Sequence, residues 1–188
     1  MWNHIRKLAA LCCCMLLTFC ACGKQKIDPA QITERYLDRS FSAQYTVTTH
    51  AGFYSEYRLE CRYEDGTSRV TILQPESVAG ICGVLDGKTA RLQYEDVSLD
   101  ALLPEVAGYA PMDVLHMLVT QLCTAQNAIY GNAQDHITVE YRELLTDGSE
   151  SLKVITLHPE TLDLLAAECY LDGSLVLALH MESLVWDS

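Results

Sequence analysis

Cysteine, histidine and paired acids are the residues here whose types can do chemistry, and their spacing narrows what that chemistry is. The chain holds 9 cysteines. Cys12, Cys13, Cys14, Cys20 and Cys22 crowd the first stretch, whereas Cys61, Cys82, Cys123 and Cys169 are far apart and form no Cys-x-x-Cys pair. These four can make two disulfides in any of three pairings outside the cytoplasm, or stay as four small apolar thiols in a core. The 6 histidines are scattered, and no two stand at metal-ligand spacing. His116 falls on a helical stretch and reads as a residue placed by its face. His180 falls on a strand and reads as solvent-facing. Acid pairs such as Glu64-Asp65 and Glu95-Asp96 sit beside turns, where solvated carboxylates are ordinary. No Gly-x-Ser-x-Gly elbow, phosphate-binding Gly-rich loop or His-Glu-x-x-His motif occurs. The expectation is a protein without a catalytic centre, metal or cofactor.

Cys22 belongs to a different chemistry. Arg6 and Lys7 precede an apolar run from Leu8 to Phe19, and small residues follow. That order is the tripartite pattern of an export signal. Its exit, Ala21-Cys22-Gly23, resembles a bacterial lipobox, in which the cysteine is diacylated on sulfur and becomes the new N-terminus. The resemblance implies a signal peptide at 1–21, lipid attachment at Cys22 and a short tether at 22–26. Two acyl chains suffice for stable anchoring where one is marginal. Cleavage would leave 11 Lys+Arg against 25 Asp+Glu, a net charge of −14. So acidic a chain is poorly suited to nucleic acid or to anionic lipid through a basic patch. No apolar run reaches the roughly 20 residues of a membrane span.

The remaining residues must be positioned by a β-rich fold. The chain has 188 residues and is 49% hydrophobic, which suits one domain, 27–188. Four Asp-Gly pairs, at 65–66, 86–87, 147–148 and 172–173, are hairpin signals. Between 53 and 64, Phe53, Tyr57, Leu59, Cys61 and Tyr63 alternate with Glu56, Arg58, Glu60 and Arg62, the period-two pattern of a half-buried strand. Comparable runs cover 41–49, 69–74, 78–85, 88–95, 137–142, 152–157, 162–171 and 175–186. Asp28-Pro29 predicts a helix over 30–39 with Ile32, Tyr36 and Leu37 inward. A second helix is predicted over 111–126, because Val114, Leu115, Leu118, Val119 and Leu122 share one stripe. The segment 97–110, with Pro104 and Gly108, reads as a loop. About nine antiparallel strands curl rather than lie flat. The predicted fold is mainly β with helices (α+β): a curved antiparallel half-barrel with a helix across its concave side.

The run Pro75-Glu76-Ser77-Val78-Ala79-Gly80, then Gly83-Val84-Leu85-Asp86-Gly87-Lys88, Leu92-Gln93-Tyr94 and Pro111-Met112, resembles the LolA/LolB-like lipoprotein-localisation superfamily. His158-Pro159-Glu160-Thr161 before a strand is similar too. The likeness implies a Gram-positive, membrane-anchored branch akin to the germination lipoprotein GerS. It further implies a domain on the outer face of the plasma membrane. Two functions follow from it. One is binding of an apolar acyl or lipid ligand in a groove lined by Tyr45, Val47, Tyr57, Leu59, Val70, Leu115, Leu118 and Val119. The other is docking of an envelope protein, with those residues filling a closed core. Tyr45, Tyr54, Tyr57, Tyr63, Tyr94 and Tyr141 either form an aromatic ligand wall or pack on strands with a wet hydroxyl.

Overall fold

The computed structural model describes residues 27–52, 54–87, 89–103, 108–124, 127–133 and 135–187, the side chains at 101 and 102 excepted. The expected signal peptide (1–21), tether (22–26) and lipid site Cys22 lie outside these residues, as do Phe53, Lys88, Pro104 and Gln126.

One antiparallel sheet of 11 strands runs through the whole described chain. Its strands are β1 (Phe41–Thr49), β2 (Ser55–Glu64), β3 (Thr67–Gln74), β4 (Cys82–Asp86), β5 (Thr89–Tyr94), β6 (Val97–Leu102), β7 (Ala128–Asn132), β8 (Ile137–Leu144), β9 (Glu150–Leu157), β10 (Leu164–Leu171) and β11 (Ser174–Trp186). Their order across the sheet is β6-β5-β4-β3-β2-β1-β11-β10-β9-β8-β7. The first and last strands of the chain therefore pair at the centre, Phe41 opposite Trp186 and Thr49 opposite Leu177. The sheet is open, with β6 and β7 as its ends. Helix α1 (Pro29–Tyr36) and helix α2 (Val114–Thr124) complete the described fold.

The expected nine strands become eleven, and the additions are the two edges. β6 lies where a loop was expected, because Glu95-Asp96 is a tight turn without glycine; Glu95 itself takes φ 50°. β7 contains Gly131-Asn132, which reads as a breaker in sequence. Glycine is needed there because a Cβ would collide with the Thr138 hydroxyl on β8. The run predicted over 78–85 is also corrected: Glu76–Val78 forms a single 3-10 turn, and the strand starts at Cys82. Of the Asp-Gly pairs, 65–66 and 172–173 place both residues at positive φ, as two-residue hairpins demand. At the second pair, Asp86 is the last strand residue and Gly87 (φ 55°) opens the turn, closed by the Thr89 hydroxyl donating to Asp86 O at 2.9 Å.

Asp28 caps α1, its carboxylate accepting from Ala30 N at 3.0 Å. The helix stops at Tyr36, short of the predicted Arg39, because Asp38 turns the chain at φ 53°. Ile32 and Tyr36 are buried as predicted, and Leu37 is instead 49% exposed, since it falls beyond the helical stripe. Helix α2 begins at Val114 rather than Pro111. Residues 111–113 form a turn in which the Asp113 carboxylate accepts from Ala110 N at 2.9 Å.

The curl of the sheet follows from what α2 touches. The His116 ring meets Ser68 on β3, and the Gln121 carbonyl accepts from Tyr141 on β8. Those strands stand six intervals apart in the sheet order. A flat sheet would separate them by about 29 Å at about 4.8 Å per strand. An 11-residue helix is only about 16 Å long. The sheet therefore wraps around α2, and its alternating inner residues form the core with it.

Candidate functional site

The concave face brings together the residues singled out for a groove. Along α2, Val114, Leu118, Val119 and Leu122 have no exposed surface, and Leu115 has 1%. Facing them, Tyr45, Val47, Leu59 and Val70 also have none. Tyr57 is half-buried and packs at the margin of this cluster. Seven of the eight groove candidates thus lie in one buried core between sheet and helix. The tyrosines do not form one wall. Tyr45, Tyr63 and Tyr141 are buried, whereas Tyr54 and Tyr94 are largely exposed.

Polar groups are buried in the same core, mostly around the N-terminal end of α2. The Ser68 hydroxyl lies 2.9 Å from His116 Nδ1, and both side chains are buried. The spacing is that of a nucleophile and its base. Without solvent access, however, the contact serves to tie α2 to β3. Burial holds the imidazole pKa below its ordinary value, against the pull of the Gly87 carbonyl and of Asp113 and Asp86. Burial likewise raises the Asp113 carboxyl, although the Gly108 and Ala110 amides and Lys153 oppose it. Lys153 on β9 is buried and its pKa lowered by desolvation; its ammonium lies 5.3 Å over the Tyr109 ring. Tyr109 is fixed in turn by Ser151 at 2.5 Å and by the Tyr170 carbonyl at 3.2 Å. Together these contacts fasten the segment before α2 to β9 and β10. The Ser68–His116, Tyr109–Ser151 and Tyr109–Tyr170 contacts were not legible in sequence, because each joins residues 42 or more apart. Three buried polar atoms are left over: the Tyr45 hydroxyl, the Tyr130 hydroxyl and the Gln121 side-chain oxygen have no partner among the described residues.

Cys61, Cys82, Cys123 and Cys169 are all free thiols. Burial pushes Cys61 and Cys169 up to about 12, so both are protonated and unreactive near neutral pH. Cys82 faces outward, with the Arg69 guanidinium 3.5 Å from its sulfur. His180 is exposed. Among the described residues, no three His, Cys, Asp or Glu side chains converge as a metal site.

The outer face carries two polar depressions. One, of about 360 Å³, is lined by Ser42, Gln44, Glu60, Arg62, Arg69 and Thr71 among others. The other, of about 610 Å³, is lined by Arg69, Asp86, Thr89, Arg91, Gln93 and Asp100 among others. Neither includes any of the eight groove candidates. Ion pairs cross this face, Arg58–Glu182 at 2.8 Å, Arg62–Asp187 at 2.5 Å and Arg91–Asp100 at 2.6 Å.

Beyond α2 the inner face is not uniformly covered. Met112 lies over Gly83, with the Leu92 side chain beside that glycine too. Farther out, Leu99 pairs with Leu92 and Val97 with Tyr94, so these side chains share the inner face. Val97 is 69% exposed, Leu99 62% and Tyr94 49%.

No family model matches the chain, and no curated protein matches it. Solved structures do. An uncharacterized conserved protein from Thermus thermophilus aligns over 85% of this chain and 86% of its own, at 10% identity and a TM-score of 0.51. A LolA superfamily protein from Nitrosomonas europaea aligns over 87% and 95%, at 12% identity and a TM-score of 0.49. A DUF1329 family protein from Desulfovibrio piger aligns over 85% and 90%, at 11% identity and a TM-score of 0.48. At 10% identity, the Thermus likeness is one of fold.

Proposed function

We propose that this chain is a non-enzymatic protein-docking module of the cell envelope, held to the outer face of the plasma membrane by a diacylated Cys22. The observation that carries the docking reading is the filled concave side. The five residues of the α2 stripe, with Tyr45, Val47, Leu59 and Val70, are each at most 1% exposed. An acyl chain in that position would have to displace the helix. The partner surface is then an outer face or an edge of the sheet. The anchor rests on the Arg6-Lys7, Leu8–Phe19 and Ala21-Cys22 sequence. It is tested by Cys22→Ala, which is expected to release the domain from the membrane fraction. Unchanged fractionation would place the anchor elsewhere.

A second reading, an apolar-ligand groove with α2 as a movable lid, is favoured by one observation. The fully buried Tyr45 hydroxyl lacks a partner among the described residues, and buried polar groups ordinarily have one. A ligand's polar end inserted beside Tyr45 would supply it. Native mass spectrometry of protein extracted from its own membrane separates the two. Docking predicts a retained protein subunit and no non-covalent lipid; a bound acyl ligand, or tight binding of a fluorescent fatty acid, would put the groove reading first.

A further inference from the structure

Strand β6 ends the sheet, so its outer row of backbone N–H and C=O groups has no strand partner among the described residues. Edge strands are ordinarily blunted by lysine, proline or a bulge. β6 reads Val-Ser-Leu-Asp-Ala-Leu, with no lysine and no proline, and its pairing with β5 keeps one register throughout. Its inner face carries Val97 and Leu99, continued by Tyr94 on β5, all largely exposed. The edge thus offers both parts of a strand-addition site: backbone hydrogen bonds for affinity, and apolar contacts at alternate residues for selection.

Charge decides the occupant. β6 has no basic residue. Glu95 and Asp96 stand at its start, and neither has an ion-pair partner among the described residues. The chain as a whole carries −12, so a second copy laid against this edge would set acid against acid. We propose that β6 is the docking edge, and that it takes an extended segment of a partner protein in which apolar residues alternate with lysine or arginine. The apolar residues would continue the Tyr94–Val97–Leu99 strip, and the cations would lie near Glu95 and Asp96. This rests on the docking reading above and names its surface and its partner's chemistry.

The test uses two ten-residue peptides, one alternating valine and lysine, the other valine and glutamate. Amide hydrogen exchange is followed on the full mature domain. The lysine peptide is expected to protect amides of Val97–Leu102, and to bind more weakly as salt rises. Because Val97 and Leu99 are exposed, the double change Val97→Ser with Leu99→Ser should leave the melting temperature unchanged. It should weaken binding by at least about tenfold, since burying one such side chain is worth more than that factor. Equal binding of the glutamate peptide, protection mapped to β7, no binding at all, or dimerisation through β6 would each overturn the proposal. In cells, photo-crosslinkers are placed at Ser98 on β6 and at Glu60 on the outer face. Capture at Ser98 of a segment alternating apolar and cationic residues supports the proposal. Capture at Glu60 alone overturns it and leaves the docking reading standing. Capture at neither, with lipid co-purifying, overturns both.

Discussion

The two ends of the sheet play the same topological role and are finished differently. At the β7 end, the inward residues Ala128 and Tyr130 pack against the core, and the neighbouring strand β8 is tied to α2 through Tyr141 and the Gln121 carbonyl at 2.9 Å. Helix α1 reinforces that side: Arg35 pairs with Asp163 at 2.7 Å, the Tyr36 hydroxyl donates to Leu162 O, and Thr33 reaches Leu122 O. At the β6 end, the corresponding inward residues Val97 and Leu99 face solvent. One edge has its apolar face covered by the molecule's own core and helices, and the other leaves Val97, Leu99 and Tyr94 free. An apolar face left uncovered on an otherwise well-filled sheet marks a place for contact with another molecule.

The largest effect that would sharpen this contrast comes from two leucine truncations. Leu122→Ala opens a cavity on the covered wing and should cost about 2–5 kcal/mol. Leu99→Ala on β6 should stay within about 0.5 kcal/mol. Denaturant titration measures both, and similar losses would mean the β6 face is buried after all. Next is the turn of the exposed wing. Gly87→Val forces a branched side chain toward φ 55° and should cost about 1–2 kcal/mol. For a domain of this size that lowers the melting temperature by a few degrees, at about 2–4 °C per kcal/mol.

A smaller pair probes the covered edge. Tyr141→Phe removes the hydrogen bond that ties β8 to the Gln121 carbonyl, which keeps only the Thr124 hydroxyl at 3.0 Å, and should lose about 1 kcal/mol. Tyr130→Phe removes a hydroxyl that has no partner among the described residues, so its melting temperature should hold or rise.

The smallest effect is a tilt with pH. Burial lowers the His116 pKa in the fold, so the unfolded chain takes up the proton first as pH falls. Stability present above pH 6.5 is then lost as pH drops through the lower folded value. Asp113, raised by burial, works the other way. Its contribution is full below pH 3.8 and fades as pH rises through its folded value. Melting curves from pH 7 to 5 should therefore fall less steeply in His116→Gln than in wild type. An equal slope would place the acid sensitivity elsewhere.

The contrast between the edges also explains what the sequence could reveal. Residues whose neighbours are local were legible. The alternation of β2, the α2 stripe and the Asp28 cap each depend on a few adjacent positions. Both edge strands were illegible for a local reason of the opposite kind. Glu95 adopts a positive φ that its side chain does not advertise, and Gly131 serves close packing against Thr138 rather than a turn. Seven of the eight groove candidates lie in one core with Tyr57 at its margin, because period two and period 3.6 both point inward. Whether that face is filled depends on how far the sheet wraps, which is set by pairings across the whole chain. The Ser68–His116 and Tyr109–Ser151 ties, formed across the helix and the sheet, left no periodic trace.

The meeting of β1 and β11 at the middle of the sheet has a kinetic consequence. Every neighbouring pair except this one joins strands adjacent in sequence, so each wing can zip up by short loop closures. The central seam joins Phe41 to Trp186, and closing it means ordering the longest loop in the described chain. Such non-local pairing is slow. During synthesis β1 is made first and its partner last. Until the final strand arrives, β1 is itself a bare edge, with Tyr45 and Val47 waiting for cover. The species most exposed to aggregation is then a half-assembled chain with its first wing formed and its centre open.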